Sequence, residues 1–348
     1  MKKMLITGGG GFIGSHAAEY FSKKYDEVIV VDNLSRAHLL KRDIPNLDYN
    51  WKYLQKISNI RAVKADVREP DVLRDIAQGV NVIIHTAAQT AVTTSMIDPR
   101  EDFENNVLGV FNVLETARML APHPTVVFCS TNKVYGENVN NVPVIEKEKK
   151  YEFSGKYVNG IAETFSIDHC EHTPYGSSKL TGDIYMQDYA HLFGIKIGVF
   201  RMSCIYGTRQ LGVEDQGWVS WFTIATLLDK PITIYGDGKQ VRDVLYIQDL
   251  LRAYELFINS DIPHAVINTG GGKNFSMSLL ELLDILKKRT GKKSKITFSA
   301  WRPSDQKVYI SDISKANKLL GWKPEVSPED GVGKLIDWSQ ANLDLFNA

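Results

Sequence analysis

The chain has 348 residues, 43% hydrophobic and 24% charged, a length that suggests about two domains sharing one large core and excludes a mini-protein held by staples. Forty-one basic side chains balance 41 acidic ones, so no global positive field gathers polyanions, and nucleic acid is not an expected partner. Three widely spaced cysteines form no disulfide framework, no apolar run approaches the ~18 residues that span a bilayer, and a strand-like segment starts at Lys3, which together predict a cytoplasmic protein with no signal peptide and no membrane partner.

In chain order, strands are expected at KMLIT (3–7), EVIVV (27–31), IRAVK (60–64), VIIH (82–85), TVVFCS (125–130) and KIGVF (196–200). Each is nearly all apolar, the pattern of parallel strands buried on both faces. Between them, FIGSHAAEYFSKK, PDVLRDIAQ, FENNVLGVFNVLETARML and PYGSSKLTGDIYMQDYAHLF repeat apolar residues at helical spacing, and right-handed crossovers place such helices on both sides of a sheet. Residues 136–173 are polar, carry the run EKEKK and read as a long excursion. Beyond Arg201 the alternation fails, with helices around 248–258 and 278–289 and turn signals at GDGK and TGGGK. The predicted class is α/β: a Rossmann-like doubly wound parallel sheet in 1–201, with 248–270 returning to it. A smaller mixed α/β substrate-binding lobe takes 202–247 and 271–348.

TGGGGFIG follows the first strand and opens the first helix, with glycines at 8, 11 and 14. Gly8 permits the tight turn, Gly11 the approach of backbone to a pyrophosphate, and Gly14 the close packing of helix on strand. Asp32 lies 18 residues beyond Gly14 at the end of the second strand, where a carboxylate accepts ribose hydroxyls and repels a 2′-phosphate. The cofactor expected is NAD; Arg36, Lys41 and Arg42 lie near enough in sequence to meet a phosphate and keep NADP as the alternative.

A tyrosine four residues before a lysine puts both side chains on one helix face, where an ammonium stabilises a phenolate. The spacing occurs at Tyr20/Lys24, Tyr175/Lys179 and Tyr235/Lys239. Only Tyr175 and Lys179 begin a helix following the fifth sheet strand, whose carboxyl end presents Ser130 and Thr131. A tyrosine half ionised near neutrality must lose about three units from ~10, or roughly 4 kcal/mol, for which Lys179 and a nicotinamide ring are the expected sources. Thr131 is expected to hold a substrate hydroxyl.

These motifs, with HTAAQ (85–89), STNKVYG, YGDGKQVRDVLYIQDL and WRPSDQ in this order over nearly the whole chain, resemble the extended short-chain dehydrogenases/reductases acting on nucleotide sugars. Within that superfamily STNKVYGE and FRMSCIYGTRQLGVEDQGWV are most similar to the CDP-paratose/CDP-tyvelose 2-epimerases. The resemblance implies a catalytic trio of Thr131, Tyr175 and Lys179. It implies NAD contacts from Gly8, Gly11, Phe12, Ile13, Gly14, Asp32, Asn33, Ser35, Arg36, Asp66, Val67, Ala87 and Ala88, together with Tyr175 and Lys179. On the substrate side it points to Arg209, Arg242 and Arg302 for nucleotide or diphosphate, with Gln89, Asn132, Lys133, Cys204 and Trp218 completing the set. The 4,6-dehydratases carry an Asp-Glu pair directly after the threonine; here Asn132 and Lys133 stand there, and an amide supplies no proton for elimination.

The activity implied is inversion at sugar carbon 2 of a nucleotide-diphospho-sugar, CDP-sugars favoured, by transient oxidation to a 2-keto sugar. A 4-epimerase or related enzyme of this superfamily is the alternative, and a catalytically silent dinucleotide-binding module a further one. The resemblance also implies a homodimer or homotetramer, through helices within 103–119 and 175–193. His169, Cys170, Glu171 and His172 match no zinc spacing and read as a loop, so no metal is expected.

Overall fold

The computed structural model describes residues 1–41, 44–302 and 305–346, so Arg42 and part of the WRPSDQ motif lie outside the described residues. Fifteen strands are described: β1 Lys3–Thr7, β2 Glu27–Asp32, β3 Ile60–Lys64, β4 Val82–His85, β5 Thr125–Thr131, β6 Val144–Glu146, β7 Tyr151–Phe153, β8 Ile197–Met202, β9 Cys204–Tyr206, β10 Ile232–Tyr235, β11 Val241–Tyr246, β12 His264–Thr269, β13 Ser276–Ser278, β14 Ile296–Ser299 and β15 Val308–Tyr309. The principal helices are α1 Phe12–Ser22, α2 Pro70–Ile76, α3 Gly109–Met119, α4 Thr173–Phe193, α5 Trp218–Leu227, α6 Ile247–Ile258, α7 Leu279–Thr290 and α8 Pro328–Ala341.

Two compact units divide the chain: Met1–Val134 with Thr173–Arg201 and Leu251–Ile267, and Tyr135–His172 with Met202–Leu250 and Asn268–Ala348. The first is built on a seven-stranded sheet of order β12-β8-β5-β4-β1-β2-β3, with parallel pairing from β5 through β4, β1 and β2 to β3. The chain order reverses between β1 and β4, the crevice where open α/β sheets bind ligands. One face of the sheet packs Leu5, Ile29, Ile83, Val126, Phe128 and Val199 against Val110, Val113 and Leu114 of α3 and Met186 of α4. These branched and aromatic side chains form a continuous apolar layer, which is why the strands read as unbroken hydrophobic runs. IRAVK is the exception. It forms β3 as expected, but at the sheet edge only Ile60 is buried, so it is not covered on both faces.

The second unit joins β9, β11, β13 and β15 into one small mixed sheet and pairs β10 with β14 and β6 with β7. Buried carboxylates fix its loops: Asp243 accepts the amides of Gly272 and Ser311, each at 3.1 Å, and Asp249 those of Glu325 and Val326, each at 2.9 Å. The excursion Tyr135–His172, counted above with the first domain, belongs to this unit. Tyr135 Oη donates to Asn268 Oδ1 at 2.7 Å, Asn268 Nδ2 donates to the Ile161 carbonyl at 2.8 Å, and Ile161 bridges Ser311, contacts too distant in sequence for composition to reveal. Ser278 and Glu281 close a capping box at the start of α7, and Gly291 ends it in the left-handed conformation at φ 71°. Among the described residues no helix is long and apolar enough to cross a membrane.

Candidate active site

The glycine loop joins β1 to α1 at the sheet's switch point. Gly8 has φ +68°, and a Cβ there would lie 2.6 Å from the Ala87 amide nitrogen; one on Gly14 would lie 2.2 Å from the Gly8 carbonyl oxygen. Neither position admits a side chain. The loop after β4 is stitched to β1 by Thr86, whose Oγ1 donates to the Thr7 carbonyl at 2.6 Å, and this holds Ala87 and Ala88 against the cradle. Gly11 caps α1 without a side chain and its first turn holds no acid, so the helix N-terminus is left for an anion. Phe12 and Ile13 begin that turn, both half-buried.

At the end of β2, Asp32 accepts the amides of Gly10 at 2.9 Å and Leu34 at 2.7 Å. Burial pushes its carboxyl pKa up and these amides oppose the shift. Asn33 turns the chain, with its Oδ1 accepting the Ser35 amide at 3.0 Å and its Nδ2 donating to Asp66 at 2.8 Å. Burial raises the Asp66 pKa, but the Arg68 guanidinium and the surrounding hydrogen bonds outweigh it and bring the carboxyl to about 2. Val67 is buried, and its carbonyl accepts from Asn112 at 3.0 Å. Arg36 is deeply placed, burial lowering its guanidinium pKa to about 10, while Lys41 reaches Asp98 at 3.9 Å. A cradle without side chains plus a half-buried carboxylate at the end of β2 fits the pyrophosphate and adenosine ribose of NAD, and the carboxylate disfavours a 2′-phosphate.

Thr131 ends β5, and Tyr175 and Lys179 lie in the first turns of α4; all three are buried. The Thr131 hydroxyl acts on the Tyr175 phenol to lower its pKa, against a larger opposing effect of burial. Burial dominates the phenol and pushes its pKa up to about 12, so the chain's own groups hold it protonated, and Lys179 alone does not acidify it as the spacing suggested. Burial likewise lowers Lys179 to about 8, and its ammonium sits 4.3 Å from the centroid of the Phe128 ring. The two other pairs of equal spacing have different partners. Tyr20 donates to Glu255 at 2.5 Å and Lys24 pairs with the same carboxylate; Lys239 pairs with Glu146 at 2.6 Å.

Behind the trio lies a buried polar network that spacing did not reveal. Helical chain is interrupted by a π turn at Glu104–Leu108, and Asn106 within it donates to the Gln89 carbonyl and to Ser178 Oγ, each at 3.0 Å, while its Oδ1 accepts the Gln89 amide at 2.8 Å. The Gln89 side chain is itself engaged, donating to Asp102 at 3.0 Å and to the Ala91 carbonyl at 2.9 Å, so it sits inside the network. Ser95 Oγ accepts the Tyr175 amide at 3.1 Å. Two adjacent asparagines in an otherwise apolar helical stretch were the available sequence signal. His85, stacked on Phe128, has Nδ1 2.7 Å from Thr7 Oγ1, and burial lowers its pKa to about 3. Thr131 Oγ1 accepts the Lys133 amide and donates to Asn132 Oδ1, both at 3.3 Å.

The remaining substrate-side residues belong to the second unit. Arg242 pairs with Asp305 at 2.6 Å and also donates to the Gln306 carbonyl at 2.7 Å; Arg302 pairs with Asp215 at 2.9 Å and lies over the Tyr235 ring at 3.9 Å. Cys204 Sγ accepts the Trp218 indole N–H at 2.8 Å, and burial raises the thiol to about 12. Arg209 is buried with φ 56°. Cys170 Sγ lies 3.6 Å from His172 Nε2, but among the described residues no group of three His, Cys, Asp or Glu is placed to hold a metal.

Residues 5–335 match the sequence family described as GDP-mannose 4,6 dehydratase. The chain belongs to that family. This member of the nucleotide-sugar epimerase/dehydratase group of extended short-chain dehydrogenases/reductases is 40% identical to the CDP-paratose 2-epimerase of Salmonella typhi, over 97% of this chain and 99% of that protein. Its fold is similar to a UDP-glucose 4-epimerase from Thermotoga maritima crystallised with UDP-glucose, at TM-score 0.81 and 29% identity, covering 98% of this chain and 99% of that one. A UDP-glucuronic acid 4-epimerase from Bacillus cereus, in complex with UDP-glucuronic acid and NAD, matches at TM-score 0.81 and 30% identity with the same coverage.

Proposed function

We propose that the protein inverts carbon 2 of a nucleotide-diphospho-sugar, with a CDP-sugar as the favoured substrate and NAD as a cofactor regenerated in every turnover. The observation that carries this reading is the joint burial of Thr131 at the end of β5 with Tyr175 and Lys179 at the start of α4, with an amide and an amine at 132 and 133 where elimination would need acids. The 40% identity to a CDP-paratose 2-epimerase supports the choice of carbon and of base.

Thr131 orients the substrate hydroxyl toward Tyr175. In its phenolate form Tyr175 Oη would receive the proton of that hydroxyl as carbon 2 becomes a carbonyl, and would give it back when the alcohol reforms on the opposite face. Bound NAD supplies a reversible hydride acceptor for the same carbon. The Lys179 ammonium and the positive charge that an oxidised nicotinamide would bring must together offset the burial that holds the phenol protonated. Arg242 and Arg302, both guanidinium groups suited to two-pronged contact with phosphate, hold the diphosphate while the sugar turns over. The second unit is thus the substrate-binding lobe. Association into a homodimer or homotetramer in the cytoplasm is part of the same reading; exposed Phe103, Phe111, Met119, Ile184, Tyr185 and Leu192 on and just before α3 and on α4 support it.

The test is NMR of CDP-, UDP- and GDP-sugars incubated with the enzyme in deuterated water. Inversion at carbon 2 without deuterium at that carbon is expected. Deuterium at the inverted centre, or inversion at carbon 4, overturns the assignment.

A further inference from the structure

Thr131 ends β5 and Tyr175 lies in the first turn of α4, so whether both hydroxyls reach one substrate hydroxyl depends on how far α4 slides along β5. A helix rises 1.5 Å per residue, whereas a hydrogen bond tolerates only a few tenths of an ångström. The apolar packing around α4 does not set that position by itself, because hydrophobic contact is non-directional. The helix does ride close to the sheet: a Cβ on Gly182 would lie 3.2 Å from the Phe128 ring and 3.1 Å from Val110.

One directional tie exists in the right place. Asp183, four residues beyond Lys179 and eight beyond Tyr175, lies on the same side of α4 and is 0% exposed. Its Oδ2 accepts from Ser130 Oγ at 2.6 Å and from Arg201 Nε at 2.9 Å; its Oδ1 accepts from Arg201 Nη2 at 3.0 Å and from Gln187 Nε2 at 2.8 Å. Ser130 is the neighbour of Thr131 on β5, and Arg201, 5% exposed, belongs to β8, the next strand of the sheet. Three elements therefore meet on one carboxylate, one residue away from the catalytic threonine. A buried ion pair is often no more stabilising than apolar residues of similar volume, so stability is a weak reason for it; its fixed two-pronged geometry is a better one.

We propose that Asp183, with Arg201 and Ser130, is the positioning device that sets the register of α4 against β5 and so keeps Tyr175 in reach of Thr131. The idea rests on Thr131, Tyr175 and Lys179 being the reacting set. Two variants of the full-length, NAD-loaded protein test it: Ser130→Ala, and the double replacement Asp183→Leu with Arg201→Met, which exchanges the pair for apolar side chains. Each is followed by steady-state turnover of the nucleotide sugar the wild type accepts and by amide hydrogen exchange, which needs no substrate.

The expected result is a kcat lower by about 10-fold for Ser130→Ala and about 100-fold for the double variant, KM and NAD affinity holding within about 2-fold. Exchange should quicken over residues 175–182 and stay unchanged in β1 and β2. A folded double variant with kcat within about 2-fold of wild type, or with unaltered exchange in α4, overturns the proposal. Should the double variant not fold, Ser130→Ala decides on the same two readouts. If the wild type turns over no nucleotide sugar, the proposed reaction fails by itself, and the exchange measurement still settles the tether.

Discussion

The cradle and trio of the first unit and the arginines of the second prepare for their ligands in opposite ways. Around Tyr175 the trio is buried, Ser95 accepts the Tyr175 amide, and the glycines of the cradle leave a volume no side chain fills. Arg242 and Arg302 instead each sit in an ion pair, with Asp305 and Asp215, which a diphosphate bound as proposed would have to displace or share. On the proposed reading, chemistry on this chain would be preorganised and recognition would proceed by exchange of partners.

The sharpest way to break this contrast is Tyr175→Phe. Loss of the proton-transferring hydroxyl should lower kcat by about 10²- to 10⁴-fold while NAD binding, followed by fluorescence titration, is retained. Equal loss of NAD affinity would mean that the trio and the cradle are not separately built. A smaller effect is expected in the second unit. Arg242→Met should raise KM by about 10- to 100-fold with kcat changed little, as for a contact made equally in ground and transition states; a fall in kcat alone would place Arg242 among the chemical groups.

The last expected effect concerns stability. His85 falls from an ordinary pKa of 6.5 to about 3 through burial. The unfolded chain takes up a proton on this ring as pH drops through 6.5, whereas the folded one resists until about 3. The stability this group contributes is thus complete above 6.5 and lost on acidification across that window, with a slope of up to about 1.4 kcal/mol per pH unit. Denaturant unfolding between pH 7 and pH 4 should show that slope reduced in His85→Gln. An unchanged slope would sink the claim that the ring is held neutral.

Much of the first unit could be read in the sequence because strands covered on both faces leave unbroken apolar runs, and because the glycine cradle, helix and acid all fall within one βαβ segment. IRAVK shows the limit, since an edge strand and a central one can have the same composition. Three tyrosine-lysine pairs shared one spacing, and only the preceding strand singled out Tyr175 and Lys179; Glu255, which claims Tyr20 and Lys24, is over 200 residues away and left no local trace. Shorter separations were as silent: 17 and 13 residues for Gln89 with Asn106 and Asp102, 63 and 87 for the arginines with Asp305 and Asp215, and likewise the attachment of Tyr135–His172 to the second unit. Local propensity reports what a segment can become, whereas these features depend on which segments meet.

The π turn at Glu104–Leu108 carries a consequence for how this helix tolerates change in length. Such a turn accommodates one residue more than an α-turn, and each residue of an α-helix advances the winding by about 100°. Losing a single amino acid there would let the turn close as regular helix with the flanking turns still in phase, removing the local widening that carries Asn106 while leaving the hydrophobic content almost untouched. The chain thus carries a surplus residue at this turn, and an indel at this point would be silent to composition but not to geometry.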